Sequence, residues 1–301
     1  MHRRSPLPRN LQLGAFTLAE AREAGIGRKR TRSSDLESPF YGVRVAAGSI
    51  TEHLDRCEAY AARMPPGHFF SHVTAAGLHG IPLPWPLQQE SVVHVSVLKP
   101  ARAPRAVGVC GHTVDVSPRI DFIEGMAVVC PVETWCQLAP LLSLDDLIAA
   151  GDRLLGLPQP LADMHELADA VAARSGRRGA RMLREALTWV RPRVESRRET
   201  FLRLLIVRAG FPEPETNMEI AVRPGRKRVR GDLVFARYKV LVEYDGQHHR
   251  TSDTQFRRDV ERLDDVADAG WRVIRVVKGM TDAEVLARLD FALRSRGWAP
   301  L

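Results

Sequence analysis

Two acidic residues lie within apolar, strand-type runs in the last third of the chain. Asp232 is followed by Leu-Val-Phe, and Glu243 is preceded by Val-Leu-Val. A carboxylate in such a strand loses its hydration, which is costly unless a partner or a metal ion replaces the water. Alternation along the second strand puts Glu243 and Asp245 on one face. A hairpin that brings Asp232 beside Glu243 would therefore form a carboxylate cluster, for which Mg²⁺ is the default cation.

A cation held by Asp232, Glu243 and Asp245 defines a specific chemistry. It would polarise a phosphodiester, neutralise the charge that develops on it and lower the pKa of a bound water. Further polar groups follow at once in the sequence: Gln247, His248 and His249. A histidine at this position could orient the attacking water or protonate the leaving oxygen. The alternative for Asp245-Gly246 is turn chemistry, which is compatible with a ligand role.

The chain around these residues predicts the element order αβββαβα. A helix begins after Ser196, with Glu199 at the N3 position, and ends at Gly210. Apolar runs predict the strands, and apolar residues at helical spacing predict the later helices. The remaining elements are strands at 217–222, 231–235 and 239–246, a helix at 252–270, a strand at 271–277 and a helix at 282–296. We therefore expect an α/β fold for residues 194–301.

The order of the polar residues in this segment is distinctive: Glu199, Asp232, the motif Glu243-x-Asp245-Gly246-x-x-His249, Arg257 with Asp259, and Gly270-Trp271-Arg272-Val273. This pattern resembles the PD-(D/E)XK nuclease superfamily, and within it the bacterial branch related to the very-short-patch-repair endonucleases. The resemblance covers residues 194–301 and implies a restriction-endonuclease-like fold. It also implies metal-dependent cleavage of a DNA phosphodiester.

The resemblance implies roles for individual residues. Asp232 would be the central metal ligand, Glu243 the second acid of the motif, and Glu199 the helix acid that assists the metal or the water. The position of the DG-x-x-H motif favours His249 over His248. From the residues alone, another role is open to Glu199, as the back-bonding member of a capping box.

One position departs from the family pattern. The lysine expected two residues after the second acid is replaced by Asp245. Stabilisation of the developing charge would then fall to Gln247, His249 or Arg257. The related repair branch also lacks this lysine and has histidines near its site, so the resemblance is compatible with activity.

The charge of the chain is compatible with a polyanionic partner, and by itself it does not choose between nucleic acid, an anionic membrane and solubility alone. The 301 residues include 44 Lys+Arg and 36 Asp+Glu, a net charge of +8. From Arg191 to Leu301 there are 23 Lys+Arg and 17 Asp+Glu, so most of the excess lies beside the carboxylates. A basic turn precedes Asp232 and contains Arg226, Lys227, Arg228 and Arg230. Such a turn is a solvated hairpin tip by default, but on a nuclease it would contact the phosphate backbone of DNA.

The residues before 194 divide into three predicted parts. Residues 1–64 combine a helix capped by Thr17, a basic stretch at 28–32 and an extended piece at 42–45, the outline of a winged helix-turn-helix. A solvated basic loop between two helices is the alternative. Residues 65–172 form an α+β middle region without a catalytic constellation, and residues 173–193 an arginine-rich linker and helix. This upstream part is similar to AbiEi-antitoxin-like proteins.

The histidines and cysteines of the upstream part match no known metal motif. We expect structural roles for five histidines, since none has zinc-motif spacing in a helix: His68, His72, His79, His94 and His112. The four cysteines include no CxxC pair, which indicates reduced thiols. No apolar run approaches the roughly 20 residues of a membrane-spanning helix, and no export signal follows the basic amino terminus. We therefore expect a cytoplasmic protein.

The sequence as a whole favours a magnesium-dependent DNA endonuclease behind an N-terminal module that binds DNA or a partner. The alternative is a non-catalytic DNA-binding regulator or antitoxin-like protein that uses the nuclease fold as a binding platform. A toxin–antitoxin component that acts on RNA is a third interpretation. The chain has no Walker loop, so we expect no energy-coupled translocation within it.

Overall fold

A computed structural model describes residues 5–12, 14–222, 228–245 and 253–300, with the backbone alone for residues 253–260. Within these ranges the chain is mixed α/β, with eleven α-helices and three β-sheets. It divides into two compact units: Met1–Leu142 with Asp169–Leu183, and Ser143–Ala168 with Arg184–Leu301. Among the helices of the described ranges, none offers the long uncharged apolar stretch that a bilayer crossing requires.

The first unit begins with a small sheet of three short strands in the order β1-β3-β2. These strands are β1 (Phe16–Thr17), β2 (Leu36–Glu37) and β3 (Val43–Ala46), with helix α1 (Leu18–Glu23) between the first two. Thr17 caps α1, and the side chains of Thr17 and Glu20 form the predicted capping box. The basic stretch at 28–32 contains a single 3₁₀ turn, Arg30–Arg32. The winged helix-turn-helix therefore stays a prediction.

A five-stranded sheet in the order β6-β5-β4-β8-β7 forms the centre of the first unit. Its strands are β4 (His68–Phe70), β5 (Val93–Leu98), β6 (Val109–Val114), β7 (Ile120–Ile123) and β8 (Met126–Val129). The helices of this part are α2 (His53–Ala61), α3 (His72–Leu78), α4 (Trp85–Gln88) and α5 (Pro131–Leu138). Phe40, Tyr60, Phe70 and Val95 pack together in the core.

The second unit contains the predicted order αβββαβα. Three helices precede these elements in the chain: α6 (Leu144–Leu154), α7 (Met164–Ala173) and α8 (Ala180–Trp189). The seven elements are then α9 (Arg197–Arg208), β9 (Glu215–Ile220), β10 (Val229–Phe235), β11 (Val240–Asp245), α10 (Asp253–Asp268), β12 (Arg272–Val277) and α11 (Asp282–Arg294). Each begins and ends within a few residues of its predicted bounds.

The sheet of the second unit has apolar residues on both faces. Its order is β12-β11-β10-β9, with β9, β10 and β11 antiparallel and β11 parallel to β12. One face packs Leu233 and Val242 against helices α9 and α11. The other packs Val234 and Leu241 against Val266 of α10. Because apolar residues fill both faces, the strands appear in the sequence as nearly continuous apolar runs, and acidic residues within them are conspicuous.

Helix α6 belongs to the second unit, although the sequence places it in the middle region. Its Asp152 is fully buried and accepts hydrogen bonds from Arg203 Nη2 at 2.9 Å, Thr200 Oγ1 at 2.8 Å and the Arg191 amide at 2.7 Å. The Ser143 N-cap predicts where α6 begins, but it does not predict which residues α6 packs against. The second unit therefore begins about fifty residues before the predicted boundary at 194.

Candidate functional site

The β10–β11 hairpin puts Asp232 beside Glu243. The hairpin pairs Leu233 with Val242 and Val234 with Leu241. Asp232 and Glu243 are the next residues beyond this pairing, and the charge of Glu243 acts on Asp232. The backbone amide of Tyr244 donates a hydrogen bond to Oδ2 of Asp232 at 2.8 Å. The contact with Arg262 directs the Glu243 carboxylate to the face that α10 covers.

The Asp232 carboxyl is held in its protonated form more strongly than an ordinary aspartate. Burial, the largest cause, and the neighbouring charges of Glu199 and Glu243 together raise the pKa of Asp232 to about 7. The hydrogen bond from Tyr244 and the charge of Arg262 act in the opposite direction. Asp232 thus has a pKa near neutrality and lies close to two further acids. Such a group of acids is expected where a positively charged ligand binds.

Glu243 is buried and paired with a guanidinium. Only 8% of the residue is exposed. Arg262 of α10 donates from Nη1 to Oε1 at 2.7 Å and from Nη2 to Oε2 at 2.8 Å. Such a two-point contact is among the stronger interactions available to a carboxylate. Both oxygens of Glu243 therefore already have a positively charged partner.

Glu199 lies at the start of α9 and links it to strand β9. Its amide donates to Ser196 Oγ at 3.2 Å, as in a capping box, but its carboxylate accepts from the amide of Glu195 at 3.1 Å rather than from that of Ser196. Asn217 Nδ2 donates to the same carboxylate at 2.6 Å. Burial raises the pKa of Glu199. The residue therefore has a structural role, and its charge also acts on Asp232.

Asp245 ends β11 and forms an ion pair with Arg275 of the neighbouring parallel strand β12. The side chain is partly exposed, with 24% of its surface accessible. Each of the three predicted metal ligands thus has a protein partner: a backbone amide for Asp232 and an arginine for Glu243 and for Asp245.

Several predicted residues lie outside the described part of the chain: Gln247, His249, Arg226 and Lys227. Arg257 lies in α10, where the backbone alone is described. Arg228 and Arg230 are exposed, and Arg230 forms an ion pair with Glu195. The predicted phosphate contacts of the basic turn stay a prediction.

A groove of about 640 Å³ lies at the carboxyl ends of β11 and β12, between them and α9. Ligands of α/β proteins commonly bind at this end of parallel strands. Four cations line the groove: Arg197, Arg198, Arg208 and Lys278. Arg197 and Arg208 pair with acids of α6, whereas Arg198 lies over the Tyr244 ring at 5.1 Å from its centroid. Tyr244 stands between Glu243 and Asp245 in β11 but packs with residues of α9 and α11, whereas Glu243 contacts Arg262 of α10. The groove and Glu243 therefore lie on opposite faces of the sheet.

The structure brings together three histidines of the first unit for which the sequence indicates only structural roles. Within the described part of the chain, one set of three His, Cys, Asp or Glu residues has its ligand atoms within 4.8 Å of one another: His72, His94 and His112. The carboxylates of the second unit do not converge to this degree. A signal was present in the sequence, since His94 and Ser96 alternate with valines in a strand.

The comparisons with known proteins give no assignment of function. No protein-family model matches this chain. Two proteins of Mycobacterium tuberculosis are similar to it: uncharacterized protein MT2308 of strain CDC 1551 / Oshkosh and uncharacterized protein Rv2248 of strain ATCC 25618 / H37Rv. Each is 27% identical over 250 residues, which cover 82% of this chain and 88% of the relative. No solved structure matches it.

Proposed function

We propose that this protein is a metal-dependent endonuclease of restriction-endonuclease-like fold that hydrolyses DNA phosphodiester bonds. The observation that carries the proposal is the partly buried Asp232 carboxyl, on which the charges of both Glu199 and Glu243 act. Among the described residues, the charges that act on Asp232 are two acids, Glu199 and Glu243, and one arginine, Arg262, so negative charge is in excess. A divalent cation would offset that excess.

The donor set suits Mg²⁺, which prefers carboxylate oxygens. Asp232 and Glu243 would hold the ion, and Asp245 lies two residues further along the same strand. The ion would supply polarisation of the phosphodiester and activation of a water. Arg262 occupies both oxygens of Glu243 and would have to turn away from at least one of them. Its guanidinium would then be free to contact a phosphate oxygen.

The groove lined by Arg198 and Lys278 supports DNA as the polyanion. Both side chains are exposed and, within the described residues, neither forms an ion pair. Each can bind a backbone phosphate, and arginine does so with two parallel hydrogen bonds. We place this activity in the cytoplasm, because the four cysteines are free thiols, as is usual for a reducing compartment.

Plasmid cleavage tests this proposal. The full chain is incubated with supercoiled DNA and Mg²⁺, with and without EDTA, beside the variants Asp232→Asn and Glu243→Gln. Asp290→Asn is the matched control, because Asp290 is an acid of α11 that pairs with Arg294 in the same helix. We expect nicking by the wild type and the control, at least a hundredfold loss in both site variants, and none in EDTA. Nicking that persists in the site variants or in EDTA would contradict the proposal.

The second candidate is a non-catalytic DNA-binding regulator or antitoxin-like protein. It is favoured by the Arg262 contact with Glu243, which satisfies both carboxylate oxygens without a metal. This candidate predicts DNA binding that is unchanged in EDTA and in Asp232→Asn, with no cleavage by the wild type. A parallel digestion of RNA separates an RNA-directed activity from both.

A further inference from the structure

Three imidazoles lie close together in the first unit, whereas the carboxylates belong to the second. His94 Nδ1 lies 3.0 Å from His112 Nε2. The rings of His72 and His112 are stacked, with centroids 3.8 Å apart and planes inclined by 17°. His94 is buried, and the other two are partly buried.

The sheet determines how the two strand histidines approach each other. β5 and β6 are parallel, and their register pairs His94 with Cys110 and Ser96 with His112. Because side chains alternate along a strand, His94 and Ser96 share a face of β5, on which His112 also lies. The sheet thus holds the two imidazoles at a fixed separation.

His72 reaches the same place from the first residue of α3, in a strained conformation. Its φ is +51°, a left-handed value that a side chain with a Cβ rarely adopts. Its amide donates to Gln137 Oε1 at 2.9 Å, and its Nδ1 lies 3.0 Å from Ser71 Oγ. Ser71 in turn accepts a hydrogen bond from Ser96 at 2.7 Å. These contacts leave Nε2 of His72 as the nitrogen that can bind a ligand. Backbone strain that the surroundings maintain is commonest at functional sites.

The outer nitrogen of His94 faces a carboxylate. His94 Nδ1 points to His112, whereas Nε2 lies 3.5 Å from Glu90 Oε1, longer than an ordinary hydrogen bond. A histidine that binds a metal through one nitrogen commonly directs the other to a carboxylate, which fixes the tautomer and the ring orientation. Burial lowers the pKa of all three histidines, to about 3 for His72 and about 4 for His112, so the rings are neutral at neutral pH. Neutral imidazole is the form that binds metals.

A cavity of about 660 Å³ opens beside the cluster. His72 and His112 line it, together with four arginines: Arg119, Arg174, Arg177 and Arg178. A zinc site with three protein ligands keeps its fourth position for water or substrate. The cavity offers that position, and the arginines around it favour an anionic ligand there.

The present spacing is close to that of a coordinated pair. Two ligands at about 2.05 Å from a tetrahedral zinc ion are roughly 3.3 Å apart. His94 Nδ1 and His112 Nε2 are 3.0 Å apart, a few tenths of an ångström less than this, and both rings must also turn from each other toward a shared ion. The ring of His72 must also turn out of its stack with His112 for its nitrogen to face the same point.

We propose that His72, His94 and His112 form a binding site for a late first-row divalent cation, Zn²⁺ in particular, with an open coordination position that faces the arginine-lined cavity. This site is independent of the carboxylates of the second unit. Three imidazole nitrogens suit zinc better than Mg²⁺, which prefers oxygen ligands.

Zinc binding by the full chain tests this proposal. The protein is stripped with EDTA, reloaded with Zn²⁺, separated from free metal and analysed for bound zinc. We expect one zinc ion per chain in the wild type, in Asp232→Asn and in His165→Ala, an exposed histidine of α7. His94→Gln and His112→Gln should each weaken zinc binding at least tenfold. No zinc in the wild type, or undiminished binding in both variants, would overturn the proposal.

A second measurement requires no variant. X-ray absorption at the zinc edge of the loaded wild type reports the ligand atoms directly. We expect scattering from about three imidazoles and an oxygen. Sulfur in the first shell, or oxygen ligands alone, would contradict a three-histidine site and would point to the cysteines or to the carboxylates instead.

Discussion

Arg262 of α10 donates to both carboxylate oxygens of Glu243 in β11, at 2.7 and 2.8 Å. The contact joins the helix to the sheet at the position where the resemblance to nucleases places the second acid of the motif. It occupies both carboxylate oxygens of Glu243. It is also the contact that a cation must compete with, so the two candidate functions differ in whether Arg262 releases Glu243.

Arg262→Ala should destabilise the second unit. The substitution leaves the buried Glu243 carboxylate without its charged partner, and Arg262 itself is 35% exposed, so we expect a loss of about 2–3 kcal/mol. Urea unfolding measures it. Arg294→Ala is the control, since its partner Asp290 is exposed, and it should change stability by less than about 1 kcal/mol.

Under the nuclease proposal Mg²⁺ should stabilise Arg262→Ala more than the wild type, because Glu243 is then free for the ion. Equal stabilisation would count against metal binding at Glu243.

Asp232→Asn should stabilise the metal-free protein at neutral pH. The folded-state pKa of Asp232 is about 7, above the ordinary value of 3.8, so the fold favours the protonated form. The contribution of Asp232 to the stability of the wild type is therefore most favourable below pH 4. It is lost as the pH rises from about 4 to about 7. The asparagine can still accept the Tyr244 hydrogen bond. The pKa shift of Asp232 sets an upper limit, on the order of 4 kcal/mol, on the increase in the free energy of unfolding that Asp232→Asn gives above pH 7.

Unfolding of both proteins from pH 4 to pH 8 in EDTA checks this pH dependence. The difference in the free energy of unfolding between Asp232→Asn and the wild type should grow through this range and then level off. Mg²⁺ should reduce the difference, because a cation favours the ionised carboxylate. A difference that is constant from pH 4 to pH 8 would show that the Asp232 carboxyl titrates outside this range.

Arg198→Ala and Lys278→Ala should each weaken DNA binding without changing sequence preference. A phosphate contact contributes through counterion release, so each substitution should lower the slope of log affinity against log salt by about 1. Fluorescence anisotropy with two unrelated duplexes, in EDTA to prevent cleavage, measures the slope. Arg294→Ala provides the comparison, since Arg294 lies on α11 and pairs with Asp290. If both groove variants retain the wild-type slope, DNA binds elsewhere on the molecule.

Glu90→Gln should weaken zinc binding without abolishing it. Glu90 lies 3.5 Å from His94 Nε2, the nitrogen that faces away from the proposed ion. Loss of such an outer carboxylate typically lowers metal affinity 10- to 100-fold, because the ring orientation and basicity of the ligand change. Competition with a fluorescent zinc chelator measures this loss, with Glu133→Gln as the control from the same cavity. An unchanged zinc affinity would mean that Glu90 does not support His94.

The elements of the second unit could be predicted because local signals set their limits. Ser196 caps α9 and Thr281 caps α11, each by accepting a hydrogen bond from an amide three residues on. Gly210 and Gly270, both with positive φ, follow the helices that they end. The acids Asp232 and Glu243 stood out because they interrupt apolar strands. These features act over a few residues, so the sequence displays them directly.

The partners of these acids could not be predicted, because tertiary packing determines them. Arg262 is one of many arginines near Glu243 in the sequence, and nothing local selects it. Asp152 pairs with Arg203, which is 51 residues further along the chain. Helix α6 therefore belongs to the second unit. The histidine cluster depends on the parallel register of β5 and β6 and on the left-handed backbone of His72. Spacing rules for helical metal motifs do not detect a site built from two strands and a helix start.

The central claim is that Asp232 and Glu243 together bind the metal that cleaves DNA. Anomalous diffraction from crystals soaked in Mn²⁺, an oxygen-seeking substitute for Mg²⁺ with a strong anomalous signal, tests it most directly. We predict an anomalous peak within coordination distance of oxygens of both residues, with the Arg262 guanidinium turned away from Glu243. No peak at this position, with both Arg262 hydrogen bonds intact at a Mn²⁺ concentration that supports cleavage, would contradict the claim.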